Sequence, residues 1–165
     1  QTQCFRGAVN SDGPSINLLI GSQWPVSYEP YTRILLRNAY GIADPYDPDE
    51  RSRLIAESPL LHANSIKTPL LMLWTKDGVD VASANILYGQ LRDLNTPAAL
   101  MIYQMAHGPA GVTQTIDYVT RIIEWMDYWV LGESWLYGAR ASEYKFAQRH
   151  SSTPRDGGQC PNPHP

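Results

Sequence analysis

Cysteine is scarce in this chain: Cys4 and Cys160 are the only two among 165 residues. They show no C-x-x-C spacing and have no neighbouring histidine pair, which argues against a disulfide-stapled scaffold and a thiolate zinc site. On count alone, a bridge between them and two separate thiols both stay open. Long hydrophobic runs are missing as well. The longest, such as Pro69 to Trp74, fall far short of the ~20 residues of a membrane helix, so no membrane partner is expected. There is no cationic excess, since 13 Lys and Arg against 16 Asp and Glu leave a net charge of -3. The basic residues are scattered, and a field that would attract nucleic acid is absent. After Gln1 no charged region leads into an apolar one, so any secretion signal is expected to have been removed or to belong to a longer precursor. No internal repeat is found.

What is present is ordinary for a globular protein: 43% hydrophobic and 18% charged residues, in a length that suits about one domain. Phe5 to Val9 reads as a short strand that stops at the turn formers Asn10-Ser11-Asp12-Gly13-Pro14. Ile16 to Tyr46 is irregular and aromatic, with a helix expected over Tyr31 to Asn38. Asp47-Pro48-Asp49-Glu50 supplies a helix cap, a first-turn proline and first-turn acids, predicting a helix to about Glu57.

The sharper signal follows. Pro69-Leu70-Leu71-Met72-Leu73-Trp74 is a continuous apolar run bounded by proline and by Lys76-Asp77-Gly78, as expected of a strand buried on both faces of a parallel sheet. Ala82 to Leu94 has helical spacing, Ala98 to Tyr103 is a second buried strand, and Thr115 to Leu131 a second helix. Its apolar face is expected to carry Ile116, Val119, Ile122, Ile123, Met126 and Val130. The fold class is therefore α/β, a parallel sheet with flanking helices over residues 1–150. The weakly apolar stretch 151–165 is expected to be an irregular or disordered tail.

Function in such sheets sits at the carboxyl ends of strands. Asp77 and His107 both fall there, one after each of two consecutive strands. An acid and then a histidine in this order match the last two members of a Ser…Asp…His triad. A serine hydroxyl is a poor nucleophile until a neutral imidazole takes its proton, and a carboxylate on the other ring nitrogen fixes the tautomer and stabilises the imidazolium. Read without further context, Asp77 is a turn residue before Gly78 and His107 a loop histidine. His62 reads as a packing or capping residue, and Arg33 and Arg37 as a solvated face.

The run Ser58-Pro59-Leu60-Leu61-His62-Ala63-Asn64-Ser65-Ile66-Lys67-Thr68-Pro69-Leu70-Leu71 resembles the segment leading to the acid loop in catalytic domains of the prolyl oligopeptidase family. Lys76-Asp77-Gly78 resembles that acid loop, Leu87-Tyr88 and Leu91-Arg92 the next helix, Tyr103 to Gly108 the histidine loop, and Ile123-Glu124-Trp125-Met126 the last helix. The similarity spans about residues 5 to 132. It implies the C-terminal part of an α/β-hydrolase domain and a serine peptidase acting on short peptides, with Asp77 and His107 catalytic and no metal or cofactor. It also offers Tyr28 and Tyr31 as substrate-binding residues, against a simple packing role.

The chain departs from the family in two places. Trp74-Thr75 stands where His-Gly or Gly is usual, and Val79-Asp80-Val81-Ala82 where a valine-proline is usual. Asp80 thus competes with Asp77, which matches better. The Gly-x-Ser-x-Gly elbow is missing. The expected partner is therefore an N-terminal remainder of the hydrolase carrying the nucleophilic serine, and this chain alone is expected to be inactive. A non-catalytic hydrolase-like module and an esterase of the same fold are the alternatives.

Overall fold

Three parallel strands lie side by side in the order β1-β2-β3, with β1 at Ala8–Ser11, β2 at Leu70–Thr75 and β3 at Ala98–Tyr103. The computed structural model describes residues 5–13, 29–44, 46–76, 81–104 and 108–132, with the backbone alone for 29–33 and 35. The helices among them are α1 (Glu29–Tyr40), α2 (Pro48–Ala56), α3 (Val81–Asp93) and α4 (Gly111–Met126). A 3-10 helix at Pro59–Ser65 leads toward β2, and a π-helical turn at Asp127–Leu131 extends α4. The described chain is a mixed α/β unit with a small parallel sheet and flanking helices. None of its helices is long and apolar enough to cross a membrane.

β2 is the centre of the sheet, and its sequence shows why. Successive side chains of a strand point to opposite faces, and here both faces are apolar. Met72 and Trp74 join Ala84, Leu87 and Leu91 of α3 and Leu60 and Ala63 of the 3-10 helix in one core. Leu71 and Leu73 join Ala99, Tyr103 and Trp125 in a second core on the other side. Each helix therefore covers one face, and residues 71–75 are all buried.

α2 follows its local code. The Asp47 carboxylate accepts from the Asp49 and Glu50 amides at 3.0 Å each, and Pro48 occupies the first turn, where its missing N–H costs nothing. The Glu50 carboxylate reaches back to the amides of Ala43 and Asp44 at 2.8 and 2.6 Å. Leu36, Ile42 and Leu54 form a small core of their own between α1 and α2, apart from the sheet, in keeping with an excursion from the main layers.

Two expectations need correction. β1 starts at Ala8 rather than Phe5 and runs into the turn formers, because Asn10 and Ser11 pair in register with Met72 and Leu73. A ladder to a central strand outweighs local turn preference. The second correction is the contact face of α4. The helix meets the sheet through Tyr118, Ile122 and Trp125, while Val112, Ile116, Val119 and Ile123 are 75%, 61%, 45% and 53% exposed. One helix presents one stripe to a sheet, and aromatic side chains, at roughly 150–250 Å² each, bury more area there than β-branched ones.

Candidate functional site

The carboxyl ends of the three strands form one edge, and a set of hydrogen bonds ties them together. β2 and β3 run in register from Leu70↔Ala98 to Thr75↔Tyr103. One residue further on, the Lys76 amide donates to the Tyr103 carbonyl at 2.7 Å, so the pairing persists to the last residue before the acid loop. On the other side, Asp12 adopts the left-handed region at φ 47° and its amide donates to the Leu73 carbonyl at 2.9 Å. That conformation turns its carboxylate onto β2. The Asp12 carboxylate accepts from the Thr75 amide at 2.7 Å and from the Thr75 hydroxyl at 3.1–3.2 Å. Thr75 is buried, so these bonds satisfy groups that would otherwise lose their water partners.

The turn after β1 is built around Gly13. Its amide donates to the Asn10 side-chain oxygen at 3.1 Å. A Cβ at this position would sit 2.3 Å from that oxygen, so any other residue here would force the Asn10 side chain to move. On the β3 side, the Tyr103 hydroxyl donates to an Asp117 carboxylate oxygen at 2.9 Å, and Arg121 Nε donates to the same oxygen at 2.7 Å. The Tyr118 hydroxyl bonds the Ser11 hydroxyl, closing the frame from α4 back to β1. The loop that returns from β3 to α4 has Gly108 at φ 91°, with open space around it. Glycine is required there by backbone conformation rather than by crowding.

Most of the sequence-predicted residues lie outside the described part of the chain. Asp77 and the competing Asp80 lie outside the described residues, the first of them one peptide link beyond Lys76. His107 also lies outside them, between β3 and Gly108. Tyr28 is outside as well, and of Tyr31 only the backbone is described, in the first turns of α1. Cys4 and Cys160 are likewise outside. His62 has a ring nitrogen bonded to the Ala56 carbonyl at the end of α2. Among the described residues no cluster of three or more His, Cys, Asp or Glu is gathered as a metal site would require.

The described edge therefore brings together the strand ends that precede Asp77 and His107, two parallel neighbours roughly 4.8 Å apart. Sequence reasoning missed Asp12. It read this residue as one turn former among several, and its partner Thr75 lies 63 positions away, beyond the reach of any local pattern. No protein-family model matches this chain, and no curated protein matches it.

Proposed function

We propose that this chain is the C-terminal part of an α/β-hydrolase catalytic domain, similar to serine peptidases of the prolyl oligopeptidase family, and that it supplies Asp77 and His107 to a Ser-Asp-His triad. The observation that carries the reading is the in-register parallel pairing of β2 and β3, held to the last residue by the Lys76 amide on the Tyr103 carbonyl. Loops leaving two adjacent parallel strands at their carboxyl ends are where such sheets carry their chemistry, and here those loops hold an aspartate and then a histidine.

In this reading His107 removes the proton of a serine hydroxyl as the oxygen attacks the peptide carbonyl. It then returns the proton to the leaving amine. Asp77 accepts a hydrogen bond from the other ring nitrogen, fixing the tautomer and stabilising the imidazolium. The serine comes from an N-terminal remainder of the hydrolase, and short peptides are the substrates. Tyr28 and Tyr31 line the substrate side. A second reading, a hydrolase-like module without catalysis, draws on the variant residues Trp74-Thr75 before the acid.

A fluorophosphonate probe separates the two. Applied to the chain in the assembly in which it purifies, the probe is expected to label a serine on a companion segment. Labelling is expected to fall by about 10³-fold or more in His107→Ala, as loss of a triad base does. No labelled species with every component present, or labelling indifferent to His107, sinks the catalytic reading.

A further inference from the structure

The amides of β2 alternate between its two neighbours. Lys76 donates to Tyr103 of β3, so the Thr75 amide faces the side of β1, where β1 has already ended at Ser11. The Asp12 carboxylate takes the place of the next strand residue. One of its oxygens accepts from the Thr75 amide at 2.7 Å, and the Thr75 hydroxyl lies 3.2 and 3.1 Å from the two oxygens. The local turn does not call for this arrangement. It is closed by the Asn10 side chain, which accepts from the Gly13 amide at 3.1 Å and donates to the Gly13 carbonyl at 3.4 Å. Asp12 meanwhile holds φ at 47°, one of two non-glycine residues at positive φ among those described, a conformation that side chains adopt at a cost.

We propose that Asp12 is a positioning residue for the catalytic acid: by gripping Thr75 it fixes the direction in which the chain leaves β2, and with it the place of Asp77 two residues on. The inference rests on the hydrolase reading. An amide bond alone leaves a strand end free to swing about it. A second bond, from the side chain of the same residue to the same carboxylate, removes that freedom. With the Lys76 amide on the Tyr103 carbonyl, the last residues of β2 are held on both flanks. Two residues of chain span about 7 Å at most, so a shift at Thr75 reaches Asp77 with little slack to absorb it. A carboxylate that must meet one ring nitrogen of His107 tolerates little displacement, since a misplacement of about 1 Å costs as much as ~10²-fold in rate. Asp12 touches no reacting atom in this role and acts through Thr75.

Labelling by the fluorophosphonate probe, followed to saturation in the assembly in which the chain purifies, separates the rate of the covalent step from probe affinity. Asp12→Ala is expected to slow that step by about 10- to 100-fold with affinity unchanged. Asp12→Asn, which keeps an oxygen for the Thr75 amide, is expected to restore most of the rate. Thr96→Val is the matched control. It removes one buried hydrogen bond just before β3, from the Thr96 hydroxyl to the Ile66 carbonyl at 2.9 Å, and is expected to leave the rate as it is. Labelling of Asp12→Ala at the parent rate, with His107→Ala still losing it, overturns the positioning role and leaves the hydrolase reading standing. Equal slowing in Thr96→Val overturns it too, since lost stability would then account for both. Asp12→Asn as slow as Asp12→Ala overturns it in favour of Asp12 as the acid itself, because an amide does not hold the required tautomer. A parent whose labelling is absent or indifferent to His107 removes the hydrolase reading and the proposal with it.

Discussion

The two faces of the sheet are covered by helices of similar length that follow opposite rules. α3 closes its face with aliphatic side chains: Ala84, Leu87 and Leu91 against Met72 and Trp74. α4 closes the other face with aromatic rings and a polar frame. The rings of Tyr103 and Tyr118 meet at a tilt with centroids 5.5 Å apart, those of Trp125 and Trp129 likewise at 5.8 Å, and an ion pair with two tyrosine hydroxyls links the helix to β3 and β1. The aliphatic face draws its stability from area and shape, which are insensitive to the placement of any one atom. The polar face specifies geometry, because a hydrogen-bonded frame tolerates few alternative positions. It is the polar face that reaches the carboxyl edge where Asp77 and His107 follow.

The comparison breaks most visibly at Leu87. Leu87→Ala empties the centre of the aliphatic core and is expected to destabilise the chain by about 2–5 kcal/mol, as fully buried leucines do. Urea unfolding measures this as a lower midpoint with an unchanged slope. A cost well under that range would mean that the α3 face collapses to fill the space, and the contrast between the faces would lose its basis. On the α4 side the corresponding cut is Asp117→Ala, which takes a carboxylate partner from the nearly buried Arg121. The expected cost is about 1–3 kcal/mol. Adding Arg121→Met to that variant is expected to recover part of the loss, because the Arg121 charge is then no longer left without the Asp117 carboxylate. If the double variant is no better than the single one, packing rather than the polar frame holds α4.

How far these features could be read from the sequence depends on the range of the signals that set them. β3 appears over the predicted residues and β2 within one, because an uninterrupted apolar run bounded by proline or glycine is a local strand signal; β2 is buried on both faces as expected, whereas β3, at the sheet edge, leaves Ile102 41% exposed. The α2 start is equally local, with cap, proline and acids inside four residues. The α4 face was misread because Ile116, Val119 and Ile123 have the right spacing, but Tyr118 and Trp125 have the larger area, and only the sheet decides which stripe it takes. β1 was misplaced for the same reason, since its limits are set by β2 some sixty residues later. At the candidate site, order alone put Asp77 and His107 after two consecutive strands; the strands are there, while the two residues lie outside the described ones. The frame at the strand ends was not legible, because Asp12 with Thr75, Tyr103 with Asp117 and Tyr118 with Ser11 are apart in the sequence and pair only after folding.

The smallest expected effect probes that frame where it meets the site. Asp12→Ala removes the acceptors of the buried Thr75 amide and hydroxyl at the end of β2. Water at the sheet edge replaces part of what is lost, so the expected cost is about 1 kcal/mol, near the low end for an unsatisfied buried donor. Asp12→Asn keeps a side-chain oxygen in the same place and is expected to restore most of it. Hydrogen exchange locates the change: in Asp12→Ala the amides of Thr75 and Lys76 exchange faster, while those of α3 on the opposite face hold their protection. Loss of protection spread evenly over both faces would mean that Asp12 acts on global stability alone. Confinement to Thr75 and Lys76 would mean that a carboxylate just after β1 sets the exit of the chain from β2, two residues before Asp77.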